Sequence, residues 1–356
     1  MTNTRKTYKI THAETTDVII GNNLLDKLNT LVKQYKHTGY ILLCGKTTQK
    51  LYADKIITSL KSLNVPAHIF VFPKGESNKN MESIVKVLNF MLKNNLDKKS
   101  AMVALGGGVI GDVATVIAGL YYRGIDCIQI PSTLLAQVDS AHGGKGGANV
   151  NEYKNMIGLT RQPIAVIVDT DLLHSLSKEQ IRSGFGEILK YAIAHDKKLF
   201  EKLEGLAKID AELESVIRSC IDLKMKAVIE DPLDIVNVRI ALNFGHSLGH
   251  AVEITSHLTH GEAVAVGMTF AIKVSREVNL ISDNQAIRAL SLIKKFDLPQ
   301  TVNSIDIKKV REIMKKDKKN IGGKTRLVLL KEIGRALVQE SISEEVVDKV
   351  LKEVIV

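Results

Sequence analysis

The 356-residue chain contains no tryptophan and few aromatic residues of any kind, so the stacking platforms that grip unpaired bases are missing. Cysteine is almost as scarce. Cys44, Cys127 and Cys220 are odd in number and far apart. That excludes a disulfide framework and a thiolate zinc site, and predicts a reducing, cytoplasmic setting. No apolar run reaches the length of a membrane span, and MTNTRKTYKITHAETT at the start lacks the apolar core of a signal peptide. No membrane partner is expected. Internal repeats and low-complexity tracts are also absent.

The formal net charge is +10, and the positive residues are spread out, with small clusters at Lys197–Lys198 and Lys315–Lys319. With no nucleic-acid motif alongside, this charge reads as solubility plus attraction for a small anion such as a phosphate. The length predicts two domains.

Apolar patterning divides the chain. DVIIG (17–21), YILLC (40–44), HIFVF (68–72), SAMVAL (100–105) and CIQIP (127–131) read as short buried strands, with RQPIAVIVDT (161–170) as the strand that crosses between the halves. Helical spacing fills the gaps, in NNLLDKLNTLVKQY, LYADKIITSLKSL, MESIVKVLNFMLKNN and VIGDVATVIAGLYY. Strands alternating with helices predict an α/β fold, a Rossmann-like doubly wound parallel sheet over residues 1–170. Beyond that boundary LSKEQIRSGFGEILKYAIA, LESVIRSCIDLKMKAVIE, EAVAVGMTFAIKVSREVNL and NQAIRALSLIKKF all have helical spacing, so residues 171–356 are expected to be a mainly α-helical domain.

Four of the ten histidines crowd into the stretch from His246 to His260. Neutral imidazole is the commonest protein ligand for zinc-like metals. His246 and His250 lie one turn apart, so on a helix they share a face. The cluster signals a metal site, and spacing alone favours that pair as ligands. Glu187 and Lys190 in GFGEILKY sit in a helical pattern that is otherwise apolar on one face, and a carboxylate there suits completion of such a site.

GGGVIG at Gly106–Gly111 follows an apolar strand and opens a helix. The spacing is that of a dinucleotide turn, in which glycines let backbone approach a pyrophosphate held at a helix N-terminus. Asp112 lies in the first turn. The acidic residue expected some twenty positions on is not clean, since Asp126 comes early. A second polar cluster, PSTLLAQVDSAHGGKGGANVNEYKNMIG, holds Asp139, Lys145 among glycines, and the pair Lys154–Asn155. Flanking glycines allow such a lysine to point into a cleft.

Together these segments resemble the 3-dehydroquinate synthase family of sugar-phosphate cyclases. PKGESNK, GGGVIGDVA, YYRG, PSTLLAQVDSAHGGKGG, YKNMIG, GFGEILKY, LNFGHSLGHAVE, THGEAVAVGM and DKKN (317–320) occur in order between about residues 70 and 330. The resemblance implies conversion of 3-deoxy-D-arabino-heptulosonate 7-phosphate, a small sugar-phosphate acid, into 3-dehydroquinate and phosphate. It implies catalytic NAD and one divalent metal, zinc or cobalt, and a homodimer. Transient oxidation would make a ketone, the ketone would acidify its neighbouring C–H, phosphate would leave by β-elimination, and reduction, ring opening and aldol closure would follow.

By the same resemblance the metal ligands are Glu187, His246 and His260, which replaces the pair suggested by spacing, and His250 faces substrate. NAD is expected along Gly106, Gly107, Gly108, Val109 and Asp112, with Glu76 and Lys79 at its adenosine end. Ser132, Thr133, Asp139, Lys145, Lys154, Leu172, Ser175 and Leu176 match further cofactor contacts. Lys145, Lys154, Asn155, Lys190, Lys226, Arg239, Asn243, His250 and Arg123 match substrate residues. Arg239 would pair with the substrate carboxylate. Arg123, reaching across a dimer interface, and Lys318 or Lys319 would hold the phosphate.

Three positions depart from the family pattern. CysGlyLysThrThr (44–48) stands where an acidic residue holds the adenine ribose. Gly146 replaces a threonine, and His142 an apolar residue. The alternatives are a cyclase for sugar phosphates without a carboxylate, a metal-dependent polyol dehydrogenase, and a non-enzymatic nucleotide sensor. Intact ligand residues argue against the last, and the lysine-rich set against the second.

Overall fold

The structure is a computed structural model that describes residues 14–151, 153–234, 238–315 and 326–356. Strands Asp17–Gly21 (β1), Tyr40–Gly45 (β2), Ala67–Phe72 (β3), Ala101–Gly106 (β4) and Asp126–Pro131 (β5) lead into a hairpin of Lys145–Val150 (β6) and Tyr153–Thr160 (β7), then Ala165–Asp169 (β8). All but the hairpin join one sheet in the order β1-β8-β5-β4-β2-β3, and every pairing is parallel. β4 and β8 are buried along their whole length, which is why they read as unbroken apolar runs rather than alternating ones. Separate apolar clusters cover the two faces, one with Leu28, Ile56, Leu60 and Leu105, the other with Ile84, Val87, Val113 and Ile117.

From β2 the chain winds outward to β3, and from β4 it winds the other way to β5. The carboxyl ends of β2 and β4 therefore flank the switch point where open α/β sheets bind ligands. Both strands end in glycine, Gly45 and Gly106, and the Thr48 hydroxyl ties the two ends together by donating to the Leu105 carbonyl at 3.3 Å.

Beyond β8 helices Lys178–Ala194, Leu213–Glu230, His246–Thr255, His260–Glu277 and Asp283–Lys295 pack around one large apolar core. Among the described residues no helix is long and apolar enough to cross a membrane. Side-chain caps set where these helices begin. Ser177 and Gln180 cap Lys178–Ala194 reciprocally, and Thr259 and Glu262 do the same for His260–Glu277. The second cap places His260 in the first helical turn and engages Glu262 in capping.

Three local expectations differ from the structure. The glycine-rich 142–158 region, where no strand was expected, forms the β6–β7 hairpin; its small residues let it lie on the helix Gly108–Leu120, where any Cβ on Gly146 would stand 2.7 Å from Thr115. The helical half also contains an antiparallel pair, Arg326–Glu332 (β9) and Arg335–Glu340 (β10), turned by Gly334 at φ +87°. NNLLDKLNTLVKQY is a chain of short helical pieces, with only Leu28–Val32 α-helical. Burial of Leu25, Leu28 and Val32 against the sheet decides its path rather than helical propensity.

Candidate active site

Glu187, His246 and His260 converge, with their ligand atoms all within 4.8 Å of one another. They come from three different helices. Glu187 is fully buried in Lys178–Ala194, while His246 and His260 open the helices His246–Thr255 and His260–Glu277. The approach depends on glycine. A Cβ on Gly186 would overlap the Gly261 backbone, and one on Gly261 would overlap the Ser183 carbonyl, so two helices touch backbone to backbone beside the cluster.

The hydrogen bonds of the two rings decide what the cluster can hold. His246 Nδ1 lies 3.2 Å from the Phe244 carbonyl, and His260 Nδ1 lies 3.2 Å from Glu253 Oε2. Both partners only accept, so both Nδ1 atoms carry hydrogen. That directs each Nε2 at Glu187 Oε1, at 3.4 Å from His246 and 3.1 Å from His260. In neutral imidazoles those Nε2 atoms are lone pairs facing a carboxylate, an arrangement that calls for a cation between them. Two Nε2 donors, one carboxylate and a carboxylate or carbonyl behind each ring are the chemistry of a zinc-type site with an open position.

Without a metal the charge is supplied by protons. Burial disfavours the imidazolium of His260, but hydrogen bonds to Glu187 and Glu253 outweigh it and raise its pKa to about 10. His246, which is more buried, is pushed down by desolvation. Burial opposes the charge on Glu187, yet Lys190 and His246 hold it ionised well below its usual range. Metal loading must therefore displace a proton from His260 even at neutral pH, above the unperturbed imidazole range.

Lys190 is 1 % exposed and ion-paired to both Glu187 and Asp139, at 3.2 Å from Asp139 Oδ2. Burial disfavours its charge, but the two carboxylates raise its pKa. Asp139 also accepts from Tyr191 at 2.8 Å and pairs with Lys224. Burial opposes its ionisation, and Lys190 and Lys224 overcome this to bring it down to about 2. Asp139 is thus a fixed anion joining cations beside the metal cluster, a role its sequence position did not reveal. Lys226 is exposed, and it is Lys224, absent from the sequence expectation, that turns inward on the same helix.

Arg239 is 3 % exposed, and among the described residues it forms no ion pair. Its Nη atoms make only long contacts, 3.4–3.5 Å, with the carbonyls of Gly143 and Pro232, and its Nε is buried without a partner. Gly143, at φ +91°, leaves the guanidinium its space. A buried guanidinium held this loosely has the chemistry to take a carboxylate or phosphate. Asn243 and Phe244 lead from Arg239 to His246, and the exposed ring of His250 stands edge-on to His246 at 5.2 Å between centroids.

The glycine turn has the features that suit an anion. Gly107 caps the helix Gly108–Leu120 without any side-chain bond, leaving its first N–H groups open. None of Gly106, Gly107 and Gly108 has positive φ, so glycine is needed there for space. A Cβ on Gly106 would stand 2.6 Å from Ile110 and one on Gly108 3.4 Å from the Ser140 hydroxyl, which is buried without a partner. Thr133 borders Gly107, and the Ser132 N–H donates to the Gly106 carbonyl. Between the segment 76–80 and the β6–β7 hairpin a cavity of about 420 Å³ is lined by Glu76, Ser77, Asn80, Asn149, Asn151 and Lys154. These features suit a dinucleotide with its pyrophosphate on the turn.

Other expected contacts lie differently. Asp112 pairs with Lys79, which also donates to Asn155 at 2.5 Å, so these three brace each other. Leu172 packs in the core under the sheet, which leaves its backbone and the neighbouring Ser175 and Leu176 for any ligand contact. Val109 packs against the opposite core. Lys145 pairs with Asp234 at 2.5 Å, and Lys154 with Glu253 at 3.0 Å, so both lysines of the hairpin reach the helical half. Arg123 is exposed at the far end of the 13-residue helix that starts at the glycine turn. Lys318 and Lys319 lie outside the described residues.

Residues 69–183 match the N-terminal profile of 3-dehydroquinate synthase and residues 184–320 its C-terminal profile. A 3-dehydroquinate synthase of Streptococcus gordonii is 36% identical over 337 residues, covering 92% of this chain and 95% of the relative. One from Streptococcus pneumoniae is 37% identical over 319 residues, covering 88% and 90%. Among solved structures, 2-epi-5-epi-valiolone synthase of Streptomyces hygroscopicus, with NAD+ and Zn2+ bound, superposes with a TM-score of 0.88 at 25% identity, covering 98% of this chain and 99% of that one. An iron-containing alcohol dehydrogenase shares the fold, at a TM-score of 0.65, 16% identity, and 96% and 98% coverage.

Proposed function

This chain belongs to the 3-dehydroquinate synthase family, and from that premise we infer that it converts 3-deoxy-D-arabino-heptulosonate 7-phosphate into 3-dehydroquinate and phosphate. The enzyme is an NAD- and metal-dependent carbon–oxygen lyase of aromatic amino-acid biosynthesis. The observation that carries the substrate reading is Arg239, a buried guanidinium with no ion pair among the described residues. A carboxylate on the substrate would supply its missing partner.

In the proposed arrangement Glu187, His246 and His260 hold a zinc or cobalt ion. The glycine turn Gly106–Gly108 receives the NAD pyrophosphate. When bound, the metal acts as Lewis acid and NAD accepts and returns a hydride. The chain's own residues do the rest. Arg239 orients the acid end of the substrate. Lys190, held charged between Glu187 and Asp139, presents an ammonium to developing negative charge on a substrate oxygen. His250, exposed beside His246, is placed to exchange protons with the substrate. Lys145 and Lys154 bring positive charge from the hairpin over the cleft. Residues 1–170 are the cofactor-binding unit and 171–356 the metal- and substrate-binding unit.

Substrate discrimination tests the reading. The heptulosonate phosphate should release phosphate with kcat/KM about 100-fold above a heptulose phosphate lacking the carboxylate, and Arg239→Met should erase that preference, as expected for a lost buried charge pair. Equal rates for both sugars in the native enzyme would move the chain to another cyclase.

The active form is a homodimer in this proposal. A 13-residue helix spans roughly 20 Å, so within one copy Arg123 stands at the wrong end of the strands to meet the substrate phosphate. A partner's copy can supply it. Mixing inactive Arg123→Ala and His246→Ala chains should then restore about a quarter of the native activity, because half of the dimers carry one intact site of two. No recovery would place Arg123 outside the site.

A further inference from the structure

Glu253 forks between the metal cluster and the hairpin. It lies seven residues after His246 on the helix His246–Thr255, so it shares that residue's face. Its Oε2 is 3.2 Å from His260 Nδ1, and its Oε1 is 3.0 Å from Lys154 Nζ, 99 residues away in sequence. Each oxygen serves one partner. The carboxylate is only 23 % exposed, so solvent screens these contacts little.

We propose that Glu253 is a positioning residue that couples the metal ligand His260 to Lys154, so that the metal cluster and the β6–β7 hairpin hold one another in place. This rests on the reading of Glu187, His246 and His260 as the metal ligands.

The chemistry follows from the two bonds. A carboxylate on Nδ1–H holds the His260 ring with Nε2 toward Glu187 and makes that nitrogen a better donor. The other oxygen fixes the one charged end of a lysine carried on a strand whose residues 153–158 are otherwise exposed. When a cation occupies the cluster, His260 gives up its hydrogen bond to Glu187 but keeps the one to Glu253. The carboxylate then stays locked in one orientation, and Lys154 with it. Coupling of this kind is reciprocal, so removing the lysine must weaken metal binding. The adjacent Lys145–Asp234 pair crosses the same gap without touching a metal ligand, which makes it a natural control.

The test is Co2+ binding to the purified full chain, followed by competition with a chelator and by the visible ligand-field bands. Glu253→Gln should lower Co2+ affinity 10–100-fold and shift the bands, while the metal-free protein melts as the native one does. Glu253→Asp should recover part of the affinity. Lys154→Met should lower it several-fold, and the double variant should bind no more weakly than Glu253→Gln alone. Lys145→Met should leave Co2+ binding unchanged. Native affinity and bands in Glu253→Gln overturn the proposal, as does strict additivity in the double variant. His246→Ala separates the two levels: it should lose the metal, whereas His250→Ala keeps it. Metal retained by His246→Ala would remove the ligand reading itself, whatever Glu253 does.

Discussion

At the scale of single residues, His142 has the sharpest conflict between chemistry and position. It is 3 % exposed, its Nε2 donates to the Gln137 carbonyl at 2.8 Å, and its Nδ1 is buried without a partner. Burial pushes its pKa down to about 4. Burial also brings His195 to about 4. In both cases the unfolded chain takes up a proton near pH 6.5 that the folded protein refuses. Their stabilising contribution is therefore complete above 6.5 and is lost as pH falls towards 4, up to about 3 kcal/mol for each. Urea unfolding at pH 7 and pH 5 should show the loss, and His142→Leu should remove about half of the pH dependence. An unchanged slope in that variant would mean that His142 is not held neutral. The histidine was visible in the sequence as a departure from the family pattern, but its burial was not. Glu253 and Lys224 were missed for the same kind of reason. A carboxylate seven residues past a histidine, or one lysine of two on a helix, acquires meaning only when the partner from a distant segment is known.

At the scale of elements, the metal cluster depends on how closely two helices approach. Lys178–Ala194 and His260–Glu277 meet at Gly186 and Gly261, where any side chain would collide with backbone that cannot rotate away. Gly186→Ala should force the helices apart. The expected cost is about 1–3 kcal/mol of stability, with a larger proportional loss of metal affinity, because ligand geometry tolerates less displacement than apolar packing does. Thermal melting with and without Zn2+ separates the two effects. A variant that melts lower but keeps its full Zn2+-induced shift would show that the glycine contact supports the fold without shaping the site. The helices themselves were legible from 3.6-residue spacing, and the sheet from its unbroken apolar strands. The two hairpins were not. β6–β7 is glycine-rich and carried by its neighbours, and β9–β10 is a short pair whose apolar run is indistinguishable from a buried helix by periodicity alone.

At the scale of the whole molecule, two sets of residues carry the proposed chemistry. One is the glycine turn at the carboxyl ends of β2 and β4. The other is the helical wall holding Glu187, His246, His260, Lys190 and Arg239. The α/β character was readable from the sequence, in strands that alternate with helices. The candidate ligand set was not fully readable from spacing, which favours His246 with His250, because His260 comes from the start of the next helix rather than from the next turn. The resemblance to known cyclases supplied it. A glycine turn, a cluster of candidate metal ligands and a guanidinium with no ion pair among the described residues suit chemistry in which one bound cofactor serves many turnovers. The decisive measurement is simultaneous recording of phosphate and NADH while the purified enzyme acts on 3-deoxy-D-arabino-heptulosonate 7-phosphate with NAD+ and Zn2+ or Co2+. Many phosphates released per NAD+, with no accumulation of NADH, is the predicted result. NADH accumulating one for one with consumed substrate, or appearing with a simple polyol while phosphate stays bound to the sugar, would contradict it and make this chain a dehydrogenase.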